Sequence, residues 1–157
     1  MLVAMALGAT YQLARAGLEV EGGSDAADAY LGFTQAGDEP TLRSDDRRKV
    51  GEWLASVLGQ PVDVPPPPDG YHLVGASRAS FADADAGAVV YASGGGTSEA
   101  PVVLFVRPDP SKPSGVAAVL TGDHPDVDLH DVSWQADKLR FTAVGPRPEI
   151  ELRHFAP

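Results

Sequence analysis

Apolar positions recur at helical period along the segment that begins at Ser44. Val50, Trp53, Leu54, Val57 and Leu58 stand at i, i+3, i+4, i+7 and i+8, one stripe among charged neighbours. Ser44 is the expected N-cap, since its hydroxyl can accept from unpaired N–H groups of the first turn, and Asp45 and Asp46 suit the positive end of the helix dipole. Gly59 falls where a left-handed C-cap residue belongs, and Pro61 forbids continuation. "DVPPPPDG" then has to be extended, because each proline holds φ near about −65° and removes a donor. It reads as a stiff spacer that lets the helix fold back on the strands beyond Gly70; capture by a polyproline-binding partner is the alternative.

After Gly70 the period shortens to that of strands. "YHLVGASRASF" predicts a strand, a break at Gly75 and a second strand. Ala86–Ser93 and Ala100–Pro108 form a predicted antiparallel hairpin around the loop "GGGTSE". "DPSKPSG" is a turn-rich connection, and "VAAVL" a short strand or helical turn. Leu129–Gly145 predicts a second hairpin, with Val132 and Trp134 on one arm and Leu139, Phe141 and Ala143 on the other. "RPEIELRHFAP" closes as a short helix, with Pro148 at its first position and Ile150, Leu152 and Phe155 available for burial. Strands this rich in Val, Leu and Phe cannot leave both sheet faces wet. The expected fold is therefore α+β: an antiparallel sheet built from hairpins, with the Trp53 helix and the short C-terminal helix packed on one face.

Upstream the pattern weakens. Residues 17–43 are rich in Gly, Asp and Ala and read as a linker, with one weak helical turn or short strand around Ala29 to Phe33. Residues 1–16 run apolar from Met1 to Ala9 and then mix in polar groups. Three readings stand: the end of a truncated membrane span, a signal-like segment lacking a basic n-region, or a helix packed on the domain.

Composition narrows the function classes. A chain of 157 residues suits one domain with its own core. Twelve basic against 22 acidic residues give a net charge of −10, a surface that repels phosphate backbones, so nucleic acid is not an expected partner. The absence of cysteine excludes disulfides, thiolate nucleophiles and cysteine-held metal.

Little in the chain is patterned for catalysis. "GDHPDVDLHD" places His124 and His130 among four aspartates, side chains able to ligate a divalent metal, but in a turn ahead of a strand and without a helix-face spacing. A small metal-binding protein or metal-dependent enzyme on that loop is the alternative function; a polar turn is the plainer one. "SGGGTS" lacks the lysine and the strand–loop–helix setting of a phosphate cradle. No G-x-S-x-G elbow occurs, and no two carboxylates stand out as a glycosidase pair. Arg78, Arg107 and Arg140 read as sheet-surface charges. No catalytic residue, cofactor site or metal site is assigned.

The order of these segments resembles the extracytoplasmic C-terminal domain of bacterial transmembrane anti-sigma factors. The likeness runs over about residues 44–156, through Trp53, Gly59 to Val62, Gly70 to Gly75, Leu104 to Val106, Val132 to Val144 and Glu151 to Ala156. Each motif is degenerate; their order and spacing carry the likeness. It implies a sensor-like domain at 44–157, outside the cytoplasm and tethered to the membrane, which regulates by binding a protein partner or an envelope signal and has no chemistry of its own. It favours the truncated-span reading of residues 1–16. Two departures stand out: the family's sigma-binding N-terminal domain with its H-x-x-x-C-x-x-C zinc motif is absent, and "GGGTSEA" is longer than the family's hairpin tip and lacks its histidine.

Overall fold

The structure, a computed structural model, describes residues 23–37, 39–94, 99–109, 119–124 and 126–157. The apolar stretch 1–16, the tip of "GGGTSE" (95–98), "DPSKPSG" from residue 110 onward and the first three residues of "VAAVL" lie outside the described residues.

Among the described residues seven strands form one antiparallel sheet in the order β1-β2-β3-β4-β7-β6-β5. They are β1 (Leu42–Arg43), β2 (Tyr71–Phe81), β3 (Ala84–Ser93), β4 (Val102–Pro108), β5 (Leu120–His124), β6 (Leu129–Ala136) and β7 (Leu139–Gly145). Both predicted hairpins form, as β3–β4 and β6–β7. The break at Gly75 is a β-bulge within one strand, where β2 shifts register against β3. Gly75 has φ +156°, and any Cβ there would collide with the Leu42 carbonyl of β1, so glycine is what lets the edge strand approach. The two meanders meet where β4 pairs with β7, from Val103↔Val144 to Pro108↔Leu139. That non-local pairing turns two ribbons into one sheet.

Alternation along the strands divides the core in two. Val89, Tyr91, Leu104, Val106, Val132, Trp134 and Phe141 face one side, where α2 (Arg47–Leu58) and the C-terminal segment cover them. That segment is the single turn α3 (Glu149–Leu152) followed by a 3-10 turn (Arg153–Phe155). Both predicted helices thus pack on one face. Val50 and Leu54 of the apolar stripe are fully buried, and Trp53 and Leu58 pack at its margin. Gly59 caps the helix with φ 76°.

Four expectations need correction. The N-cap is Asp46 rather than Ser44: its carboxylate accepts from the N–H of Arg48 at 2.9 Å and of Lys49 at 3.4 Å. Ser44 is still tied to the sheet, its N–H donating to the Val74 carbonyl, so the helix starts two residues later. Pro148 sits at the N-cap with extended ψ, not at the first helical position. Ile150 is 70% exposed, because it is rotated about 200° from Leu152, which with Phe155 takes the buried side. Finally, the expected linker 17–43 carries a 13-residue helix, α1 (Gly23–Gln35), far more than one turn around Ala29–Phe33. Small side chains at Ala26 and Ala27 let α1 lie close on the second face, and Tyr30 donates to the Pro101 carbonyl at 2.8 Å. There it covers Phe81, Phe105, Val103, Leu129 and Val144, so the molecule has three layers. Among the described residues no helix is long and apolar enough to cross a membrane.

Candidate functional site

The proline run does more than keep its distance from the helix. Val62 and Val64 are buried in the first-face core, and Gly51 of α2 leaves room for the Val62 carbonyl, which would stand 2.7 Å from a Cβ. Arg47 donates from Nε to the Val64 carbonyl at 2.8 Å, and the Tyr91 hydroxyl donates to the Pro65 carbonyl at 2.8 Å. Residues 61–68 are therefore a strap bound along α2, with its outer edge facing the C-terminal segment.

Between strap and C-terminal segment lies a cavity of about 300 Å³. Its floor is the cross-strand pair Trp134 and Phe141, whose rings stack at 5.5 Å and 6°, together with Leu139 and Phe155. Pro61, Pro65 and Pro66 wall one side, and His154, Ala156 and Pro157 the other. Arg47 also lines it, its Nη2 3.5 Å from the fully exposed carboxylate of Asp63. A volume near this size suits an aromatic ring or a comparable apolar group.

The same two walls continue into a wider, polar groove of about 850 Å³, bordered by Pro67, Pro68 and Tyr71 and again by His154. Arg147 pairs here with Glu99 at 2.8 Å, and Ser93 donates to the same Glu99 oxygen. That hydroxyl, and after it the guanidinium, hold the Glu99 carboxyl below its ordinary range. Tyr71 donates to Glu151 at 3.3 Å and packs edge-on against Phe155 at 5.2 Å; partial burial pushes its hydroxyl above the usual tyrosine range.

The histidine-rich loop is not one centre. His124 approaches Asp131 at 2.7 Å and His130 approaches Asp123 at 3.3 Å. In the β5–β6 register Asp123 pairs with His130 and His124 with Leu129, so the two histidines stand on opposite faces of the sheet and cannot meet at one ion. Among the described residues no group of three or more His, Asp or Glu is arranged to hold a metal. The His124–Asp131 pair is buried; desolvation pushes the Asp131 carboxyl above its ordinary range, only partly offset by His124. Of the arginines, Arg140 pairs with Asp109 at 2.8 Å, while Arg107 lies over the Phe81 ring at 5.1 Å, its Nε buried without a hydrogen-bond partner.

Sequence reasoning named none of the cavity walls as a site. Trp134, Phe141 and Phe155 looked like core, which they also are, and the one available signal was the proline run. Comparison with protein-family models, with curated proteins and with solved structures returned no match to this chain.

Proposed function

We propose that this chain is a recognition domain without chemistry of its own, a regulatory module of the kind its segment order resembles. On this reading it works outside the cytoplasm as the sensor part of a membrane-tethered anti-sigma-type regulator, and its partner is a protein or an envelope signal. The observation that carries the binding role is the aromatic-floored cavity between strap and C-terminal segment, lined mostly by proline, aromatic and aliphatic side chains with Arg47, Asp63, Asp137 and His154 as its polar members. A sheet covered on both faces supports the role, because it gives the cavity a rigid floor.

Titration of the isotope-labelled domain with indole, followed by amide NMR, tests this. Shifts should concentrate at Leu139, Phe141, His154 and Ala156 and saturate at millimolar indole. Shifts spread evenly over the surface, or none at millimolar concentration, would remove the cavity as a binding site.

A further inference from the structure

We propose that the apolar cavity and the polar groove form one binding track for an extended peptide segment that carries an apolar ring and, about three residues away, a basic side chain. This rests on the recognition reading above and specifies its ligand. Both hollows share the strap as one wall and His154 as part of the other, so an occupant of one meets the other by following the strap. Val64, Pro65, Pro66 and Pro67 each precede a proline and are held extended, at about 3.1 Å per residue. From Pro65, beside the cavity, to Pro68, beside the groove, is thus about 9 Å, the span of three extended residues.

Charge decides what the groove takes. Among the described residues its lining holds Asp69, Glu99 and Glu151 against Arg147 and His154, and Arg147 pairs with Glu99 while its charge also acts on Glu151. Asp69 and Glu151 are exposed; Glu151 meets the Tyr71 hydroxyl at 3.3 Å and lies within reach of the Arg147 charge, whereas Asp69 has neither neighbour. A guanidinium or ammonium group therefore finds a carboxylate there, within a chain of net charge −10. Pro65 to Pro68 have no N–H, and with the Pro65 and Pro68 carbonyls already accepting from Tyr91 and Tyr71, the Pro66 and Pro67 carbonyls are the ones offered to backbone donors of a ligand. An extended peptide brings them at regular spacing.

The test uses fluorescein-labelled hexapeptides Gly-Trp-Gly-Gly-X-Gly with X as Arg or Glu, and a Trp-to-Ala control, read by anisotropy at low and high salt. The Arg peptide should bind at least tenfold more tightly than the Glu peptide, and the gap should close as salt rises. Glu151→Lys, at an exposed position, should abolish or reverse that preference while its amide NMR spectrum stays that of the folded protein. Ala156→Phe should fill the cavity and weaken both tryptophan peptides. Equal affinity for the two peptides, or a preference that survives Glu151→Lys, overturns the two-site track. If indole enters the cavity but the peptides show no charge preference, the ligand assignment fails alone. If neither indole nor any peptide binds, the recognition reading falls with it.

Discussion

Replacing Gly51 by alanine sets two effects of known sign against each other. In a free helix the change is favourable by about 0.8–1.0 kcal/mol, because glycine gives up more backbone freedom. Here the new methyl would stand 2.7 Å from the Val62 carbonyl oxygen, a backbone atom that cannot swing aside. The strap would have to retreat by roughly 0.7 Å or more to reach ordinary contact. It is pinned by Val62 and Val64 in the core and by the bonds from Arg47 and Tyr91, so retreat loosens several contacts together. Overpacking of this kind costs about 1–3 kcal/mol, and weakening a hydrogen bond from a charged donor adds up to about 1.5–3 kcal/mol. Sterics win, and Gly51→Ala should destabilise by about 1–2 kcal/mol. Gly32→Ala is the internal control: it also lies within a helix, but nothing stands within 4 Å of its new Cβ, so it should stabilise by up to about 1 kcal/mol. Urea unfolding measures both, with a lower midpoint for Gly51→Ala, a higher one for Gly32→Ala, and an unchanged slope. If both variants gain stability, the strap is not pressed against α2 and the wall of the cavity is wrongly drawn.

Two further outcomes concern the hairpins. Ala82 and Asp83 form the two-residue β2–β3 turn with φ of 51° and 59°, a conformation that favours Asn-Gly, so Ala82→Asn/Asp83→Gly should raise stability by about 1 kcal/mol in the same urea assay. Asp131 has its carboxyl raised by burial, so its contribution is fully present below the ordinary aspartate range and is lost as pH rises through the raised folded value. Stability of the unmutated protein relative to Asp131→Asn should therefore fall with rising pH from about 3.9 upward, read as urea midpoints across a pH series; a difference that rises with pH would reverse the assigned cause.

Local pattern and tertiary outcome part at identifiable residues. Periodicity determined α2, both hairpins and the α+β class, and glycine followed by proline marked the Gly59 cap, because apolar stripes of period 3.6 or 2 are legible wherever one face is buried. It could not show α1, whose contact face is made of alanines and one tyrosine: small side chains leave a weak stripe, yet they permit the closest approach to a sheet. The N-cap of α2 moved from Ser44 to Asp46 because pairing of Ser44 with β2 is a non-local bond.

The candidate site was legible only in fragments. Trp134, Phe141 and the proline run were each visible, but strap, floor and C-terminal wall come from positions 61–68, 134–141 and 154–157, far apart along the chain. His124 and His130 looked like one cluster by spacing, and the strand register sent them to opposite faces. The amino-acid sequence by itself settled α2, the two hairpins and the C-terminal turn as helix or strand, since those choices rest on neighbours within a turn or a pleat. Tertiary structure decided the β4–β7 junction, the second helical cover and the cavity, since each depends on long-range packing that no local period encodes.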